Sequence, residues 1–345
     1  MDIFCLAKPF IHALDAETAH HAAIKALRYN LVPSQKPIED ARLSQSLWGI
    51  DFNNPVGMAA GFDKNAECIP ALAKQGFGSV EVGTLTPKPQ AGNSKPRLFR
   101  LSEDQAIINR MGFNNAGVED ALPRLAAKRD CVLGINIGKN KTTENALDDY
   151  IPMLEKVLPH ADYVTVNISS PNTEGLRDLQ AKEQLTELLS ALVQTRGEDT
   201  TPLLLKIAPD LSPEQASDAV QVVMEQRFDG IIVSNTTIAR PDYLQSHQRL
   251  ETGGLSGAPL MQASTELLRH VAKVSEGNIP LIGVGGIACG ADAYAKIKAG
   301  ASLVQVYSAL IYQGFGLVNR INSQLLALLE RDGFSHISEA IGVEA

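Results

Sequence analysis

A chain of 345 residues, 44% apolar and 20% charged, holds enough apolar material for one large core and is long enough for an eight-fold β/α barrel with insertions. A net charge of −8 without a concentrated basic patch excludes nucleic acid as an expected partner. No apolar run approaches the roughly 18 residues of a membrane span. The four cysteines (Cys5, Cys68, Cys131, Cys289) are spaced for neither a disulfide framework nor a metal site, and the N-terminus lacks the pattern of a secretory signal.

The first 37 residues read differently from the rest. An apolar stretch precedes Asp15, which is a good N-cap for a helix over 16–31 with Ala19, Ala22, Ala23, Ala26 and Leu27 near one face. Pro9 either opens a short helix before Asp15 or kinks a longer one. Pro33 and Pro37 then break the pattern. The expected division is a helical extension over 1–37 and a barrel over 38–345.

Apolar runs predict strands at 56–60, 78–82, 132–137, 163–168, 203–207, 230–233, 280–284 and 302–306. Helical stretches at 67–74, 118–127, 147–158, 184–195, 213–226, 263–274 and 291–299 alternate with them, and a last helix covers 317–330. Ser212 before Pro213 is a cap-then-proline start, and Gly300 stops the helix before the last strand. Eight continuous apolar strands, each followed by a helix or long loop, predict an α/β fold, the closed (β/α)8 TIM barrel.

Barrels of this kind carry their chemistry just beyond the C-terminal ends of the strands. Read so, strand one delivers A-A-G-F-D-K, strand two G-T-L-T-P-K-P, strand four N-I-S-S-P-N, strand five K-I-A-P and strand six S-N-T-T. Glycines 283, 285 and 286 after strand seven, with Tyr307 and Ser308 after strand eight, sit where barrels bind phosphate through backbone N–H groups; a tight turn would need the same glycines. No G-x-G-x-x-G follows an early strand, so a Rossmann nicotinamide site is not supported. Phosphate binding beside redox-like polar groups suggests flavin mononucleotide.

Asn109, Asn136, Asn167, Asn172 and Asn235 all fall at strand ends or in rim loops. Any one of them can be explained as a turn residue, but five at one rim suit a small planar ligand with ring amide groups. Lys64 can meet a carboxylate on that ligand. Lys206 ends a buried strand, where an unpaired ammonium is costly; either the pyrimidine edge of a reduced flavin or a structural salt bridge would satisfy it. Ser170, stiffened by Pro171, is the candidate base, and with no G-x-S-x-G elbow around it hydrolase chemistry is disfavoured.

Five runs, A-A-G-F-D-K-N, R-L-F-R-L-S-E-D-Q-A-I-I-N-R-M-G-F-N-N, V-N-I-S-S-P-N-T, N-T-T-I and G-G-L-S-G-A-P-L, together resemble the quinone-linked, membrane-associated class of dihydroorotate dehydrogenases, over nearly the whole chain. The resemblance implies oxidation of dihydroorotate to orotate in pyrimidine (UMP) synthesis, with FMN as hydride acceptor and a membrane quinone as final acceptor. It implies Ser170 as the catalytic base. Substrate contacts carry over to Lys64, Asn109, Arg110, Met111, Gly112, Phe113, Asn167, Asn172, Asn235 and Thr236. Flavin contacts carry over to Ala60, Gly61, Phe62, Asp63, Lys64, Thr84, Asn136, Asn167, Lys206, Ser234, Gly257, Gly286, Tyr307 and Ser308; no metal is implied. In that class the N-terminal helices form a quinone tunnel resting on the cytoplasmic side of the cell (inner) membrane, and His20 and Arg100 match tunnel positions. Two short apolar helices without a basic cluster would serve equally to cover the barrel's own surface. The soluble members of the superfamily carry cysteine at the base position, where this chain has Ser170.

Overall fold

The computed structural model describes residues 3–345; the first two residues of the expected extension lie outside the described chain. In chain order the elements are α1 Ile3–Ala13, α2 Ala16–Arg28, β1 Gln45–Leu47, β2 Ile50–Phe52, β3 Val56–Met58, α3 Ile69–Ala73, β4 Ser79–Leu85, β5 Leu98–Leu101, β6 Ala106–Asn109, α4 Val118–Leu125, β7 Val132–Ile137 and α5 Leu147–Val157. They continue with β8 Tyr163–Asn167, α6 Lys182–Arg196, β9 Leu203–Ile207, α7 Pro213–Glu225, β10 Gly230–Val233, β11 Gly254–Gly257, α8 Met261–Ser275, β12 Leu281–Val284, α9 Gly290–Lys298, β13 Ala301–Val306, α10 Ser308–Gln313 and α11 Leu317–Asp332.

Eight parallel strands close into a barrel in the order β10, β12, β13, β3, β4, β7, β8, β9. They are the eight foreseen, with small changes at their ends. Pro280 has no N–H to give to a ladder, so its strand begins at Leu281, and the Pro280 carbonyl accepts the Ile231 N–H at 3.3 Å. Side chains of β4, β8, β9 and β10 are buried on both faces, as a helix-wrapped parallel sheet demands. The capping box of Ser212 and Gln215 starts α7 at Pro213 as expected.

Asp15 caps α2 by accepting the N–H groups of Glu17 (3.0 Å) and Thr18 (3.1 Å). This helix ends at Arg28 rather than at 31, because Asn30 takes a positive φ of 54° that no helix continues through. Pro9 lies inside one continuous helix, α1.

Two elements were not expected. The hairpin β1–β2 lies at the N-terminal end of the barrel, where the Trp48 indole N–H reaches the Asp229 carbonyl (2.7 Å) and its ring meets Phe52 and Tyr163. An antiparallel sheet, β5–β6–β11, gathers segments that follow β4 and β10 into one wall at the opposite end. Helix α2 packs on β5 and α1 on α10, so the extension adjoins that wall.

Candidate active site

The C-terminal strand ends, the β5–β6–β11 wall and the two N-terminal helices enclose one cavity of about 420 Å³, within the usual range for a small-molecule site. Its orienting group lies one layer below. Glu81 of β4 is fully buried and accepts hydrogen bonds from Asn136 Nδ2 (2.8 Å), Gln305 Nε2 (2.7 Å) and Tyr163 Oη (3.2 Å). A carboxylate only accepts, so it fixes which way the Asn136 amide points. Asn136 Oδ1 then accepts from Thr84 Oγ1 (2.6 Å) and Asn167 Nδ2 (3.1 Å). Asn167 Oδ1 accepts in turn from Ser169 Oγ (3.0 Å) and Asn235 Nδ2 (3.3 Å). A further pair joins Asn172 Nδ2 to Asn109 Oδ1 (3.2 Å). The five asparagines thus converge, with Asn136 as support beneath the floor rather than as part of the cavity lining.

Lys206, at the end of β9, is 5% exposed and its ammonium makes no hydrogen bond or ion pair among the described residues. Burial lowers its pKa against the opposing field of Glu81. Among the described residues the structural salt bridge weighed from sequence does not form. A buried cation facing a cavity without a partner fits an electron-rich edge of a bound molecule. Lys64 is pulled down to about 8 by burial, against the opposing pull of the Glu17 and Asp63 carboxylates.

Ser170 lies buried at the cavity edge, and its Oγ accepts the Asn172 N–H (3.3 Å); no histidine or carboxylate bonds to it among the described residues. Its loop is held by a residue that the sequence reading missed. Arg177 donates from Nε to the Ser169 carbonyl (3.0 Å), from Nη2 to the Thr236 carbonyl (3.0 Å) and from Nη1 to Asp210 (2.8 Å), so one planar fork ties the Ser170 loop to the Asn235–Thr236 loop. The available signal was a basic residue close behind the base, with an acid just past strand five.

At the far end, Gly257 (φ +93°) and Gly286 (φ +80°) occupy backbone that only glycine adopts readily, and a Cβ on either would collide with neighbouring backbone at about 2.4 Å or less. The N–H groups of Gly286 and Ile287 find no acceptor in the described chain, and Ser308 Oγ meets Ser256 Oγ at 2.8 Å. Unspent N–H groups on a glycine turn suit a phosphate. With Lys206, they make the residues present a fit for a flavin mononucleotide.

The rest of the cavity is apolar. Ala19 and Ala23 of α2 line it together with Phe62, whose ring meets those of His20 (5.4 Å), Tyr307 (5.9 Å) and Phe315 (6.0 Å) edge-on. Burial, helped by nearby Lys64 and His21, pushes the His20 pKa well below its ordinary value, so the ring is neutral. Arg100 lines this half while its Nη1 donates to the His12 carbonyl (3.0 Å).

Ala60, Gly61, Met111, Gly112, Phe113, Asn235, Thr236 and Ser234 also line the cavity. Besides Asn136, two expected residues do not. Asp63 is turned away to accept the N–H groups of Glu67 (2.7 Å) and Cys68 (2.8 Å), because the first turn of α3 needs an acceptor. Arg110 follows Asn109 in extended backbone and points the other way, onto Glu251 (2.7 Å) and over the Phe99 ring.

A closed β/α barrel with amide, phosphate-ready and apolar stations at one rim defines a barrel oxidoreductase. The family model for dihydroorotate dehydrogenase matches residues 42–329. A Rhodospirillum rubrum protein named dihydroorotate dehydrogenase (quinone) is 52% identical over 99% of this chain and 95% of its own length, and one of that name from Erythrobacter litoralis is 51% identical over 99% and 100%. The solved DHODH of Eimeria tenella in complex with ferulenol superposes with a TM-score of 0.91 at 43% identity, covering 95% of both chains. This chain therefore belongs to the dihydroorotate dehydrogenase family, which is flavin-dependent. Because the relatives match across nearly the full length, they share the extension that the family model leaves out.

Proposed function

We propose that this chain oxidises dihydroorotate to orotate in de novo pyrimidine (UMP) synthesis, holding FMN as the hydride acceptor and a membrane quinone as the final acceptor. The observation that carries this is one cavity with two unlike halves, a neutral amide floor with a buried cation and an apolar throat under α1 and α2.

In this reading Lys206, Thr84, Asn167, Ser234, Gly257, Gly286, Tyr307 and Ser308 hold FMN, with Asn136 supporting Thr84 and Asn167 from beneath; FMN supplies a two-electron acceptor when bound. Lys64 meets the substrate carboxylate, and Asn109, Asn172 and Asn235 take up the donors and acceptors of its ring. Ser170 Oγ takes the proton from one ring carbon while the neighbouring carbon gives up hydride; proton and hydride together balance the new C=C bond. The neutral His20 ring and the aromatic cluster exclude water from the throat, and with Arg100 they receive the quinone. Leu6, Phe10 and Leu14, at 62%, 77% and 43% exposure, form an apolar face on the extension. No helix of the described residues is long and apolar enough to cross a membrane. Peripheral contact from the cytoplasmic side of the inner membrane fits both facts. The division into a helical extension over 1–37 and a barrel over 38–345 belongs to the same proposal.

The test is an anaerobic stopped-flow mixing of the purified full-length protein with dihydroorotate. The flavin absorbance is expected to bleach and to recover on adding a quinone. Protein that carries no flavin, or a flavin that dihydroorotate leaves oxidised, would refute the reading.

A further inference from the structure

The extension does more than roof the throat: it supplies one partner of a buried ion pair whose other partner organises the substrate side. Glu17 of α2 is 4% exposed, and Arg97, just before β5, is 7% exposed. The pair is bidentate, with Arg97 Nε on Glu17 Oε2 (3.1 Å) and Nη2 on Oε1 (2.7 Å). The remaining nitrogen, Nη1, donates to the carbonyls of Ala91 (2.6 Å) and Asn93 (2.8 Å) and so closes the 91–97 loop upon itself. Burial alone would raise the Glu17 pKa; the Arg97 guanidinium, with Lys95, overrides this and holds it at about 2, so the carboxylate stays charged.

The loop closed in this way reaches the other half of the cavity through Asn93. Its side-chain Nδ2 donates to the carbonyls of both Arg110 (3.0 Å) and Asn172 (3.1 Å), and its backbone N–H donates to the Met111 carbonyl (3.0 Å). Gly112 packs so closely on Asn93 that a Cβ there would stand 2.9 Å from the amide. An unbroken line of hydrogen bonds thus runs from α2, through Arg97 and Asn93, to the two segments that present Asn109 and Asn172. Were Glu17 neutralised, Arg97 would be left as a buried cation without its anion, and the loop it closes would lose its anchor.

We propose that Glu17 is a positioning residue for the dihydroorotate pocket: through Arg97 and Asn93, the helical extension sets the placement of Asn172 and of the 109–113 segment. The extension that serves the second substrate thereby also tunes affinity for the first. This rests on the reading above that these segments hold dihydroorotate.

The experiment uses full-length holoenzyme and the concentration dependence of flavin bleaching by dihydroorotate, with quinone left out. Glu17→Gln is expected to raise the apparent Kd on the order of tenfold while the limiting bleaching rate stays within about twofold. A general loss of structure would instead lower the rate and the flavin content together. Asn93→Ala leaves the ion pair intact and removes the side-chain links to Arg110 and Asn172, together with an exposed contact from Lys141, so it is expected to raise the Kd in the same direction and keeps the test open if the Glu17 variant fails to fold. The double variant is expected to be no worse than the weaker-binding single variant, since both break one line; fully additive losses would overturn the coupling. An unchanged Kd in Asn93→Ala, or a Glu17→Gln defect confined to quinone turnover, would overturn it as well. Wild-type enzyme that does not bleach would refute the functional reading and this inference with it, whereas normal wild-type bleaching beside unchanged variants would refute the coupling alone.

Discussion

The two halves of the cavity solve opposite problems with the same backbone ends. On the barrel floor, hydrogen bonds run from Glu81 to Asn136 to Asn167 to Asn235, and each amide is fixed by the one beneath it. Under α1 and α2 the surfaces are mostly aliphatic and aromatic, ring meets ring edge-on, and the buried Nε of Arg100 is a donor left over among the described residues. A polar floor is specific because each misplaced donor is costly in a dry site, while an apolar throat is permissive because burial of area has no direction. The difference teaches that the floor selects by pattern and the throat by shape and polarity alone.

The largest way to break that contrast lies on the floor. Ser170→Ala is expected to slow flavin bleaching by dihydroorotate on the order of 10²–10⁴-fold while the protein stays fully flavin-loaded. An unaltered rate would take Ser170 out of its role. In the throat, Ala23→Trp places a large ring where α2 lines the cavity. Turnover with quinone is expected to fall on the order of tenfold or more, with bleaching by dihydroorotate unchanged. Equal losses in both half-reactions would show that the two halves are not functionally distinct.

The smallest effect sharpens the boundary between them. With its pKa lowered to about 8, Lys64 is charged below that pH and neutral above it. The carboxylate of dihydroorotate stays ionised throughout, so if Lys64 meets it the affinity is expected to be greatest below pH 8 and to fall as pH rises through it, approaching about tenfold per pH unit beyond. A Kd for dihydroorotate that is flat from pH 7 to 9.5 would remove Lys64 from carboxylate binding.

The barrel was legible because its strands are buried on both faces, and burial on both faces writes a continuous apolar run that needs no partner to be noticed. The β5–β6–β11 wall was not legible. Its strands are four-residue pieces, and β11 is drawn from a segment about 150 positions from β6, as in the pairing of Ser256 with Ile107, so only pairing makes them strands. The same limit explains Asp63 and Arg110. Both stand inside motifs whose neighbours do face the cavity, yet the alternation of an extended chain turns Arg110 outward and the need of α3 for a cap turns Asp63 aside. Arg177, Asn93 and Glu81 went unnoticed for the converse reason. Their worth lies in backbone carbonyls and amides that they hold, and these leave no trace in residue type.

By itself, then, the sequence determined the order of the eight strands, the rim at which polar groups gather and the family to which its motifs point, since each is recorded locally in apolar runs and strand-end residues. Only the tertiary structure decided which of those polar groups face the cavity and which serve as supports. It alone brought Glu17 of the extension onto Arg97, because a buried ion pair between residues 80 positions apart exists only once the chain has folded around it.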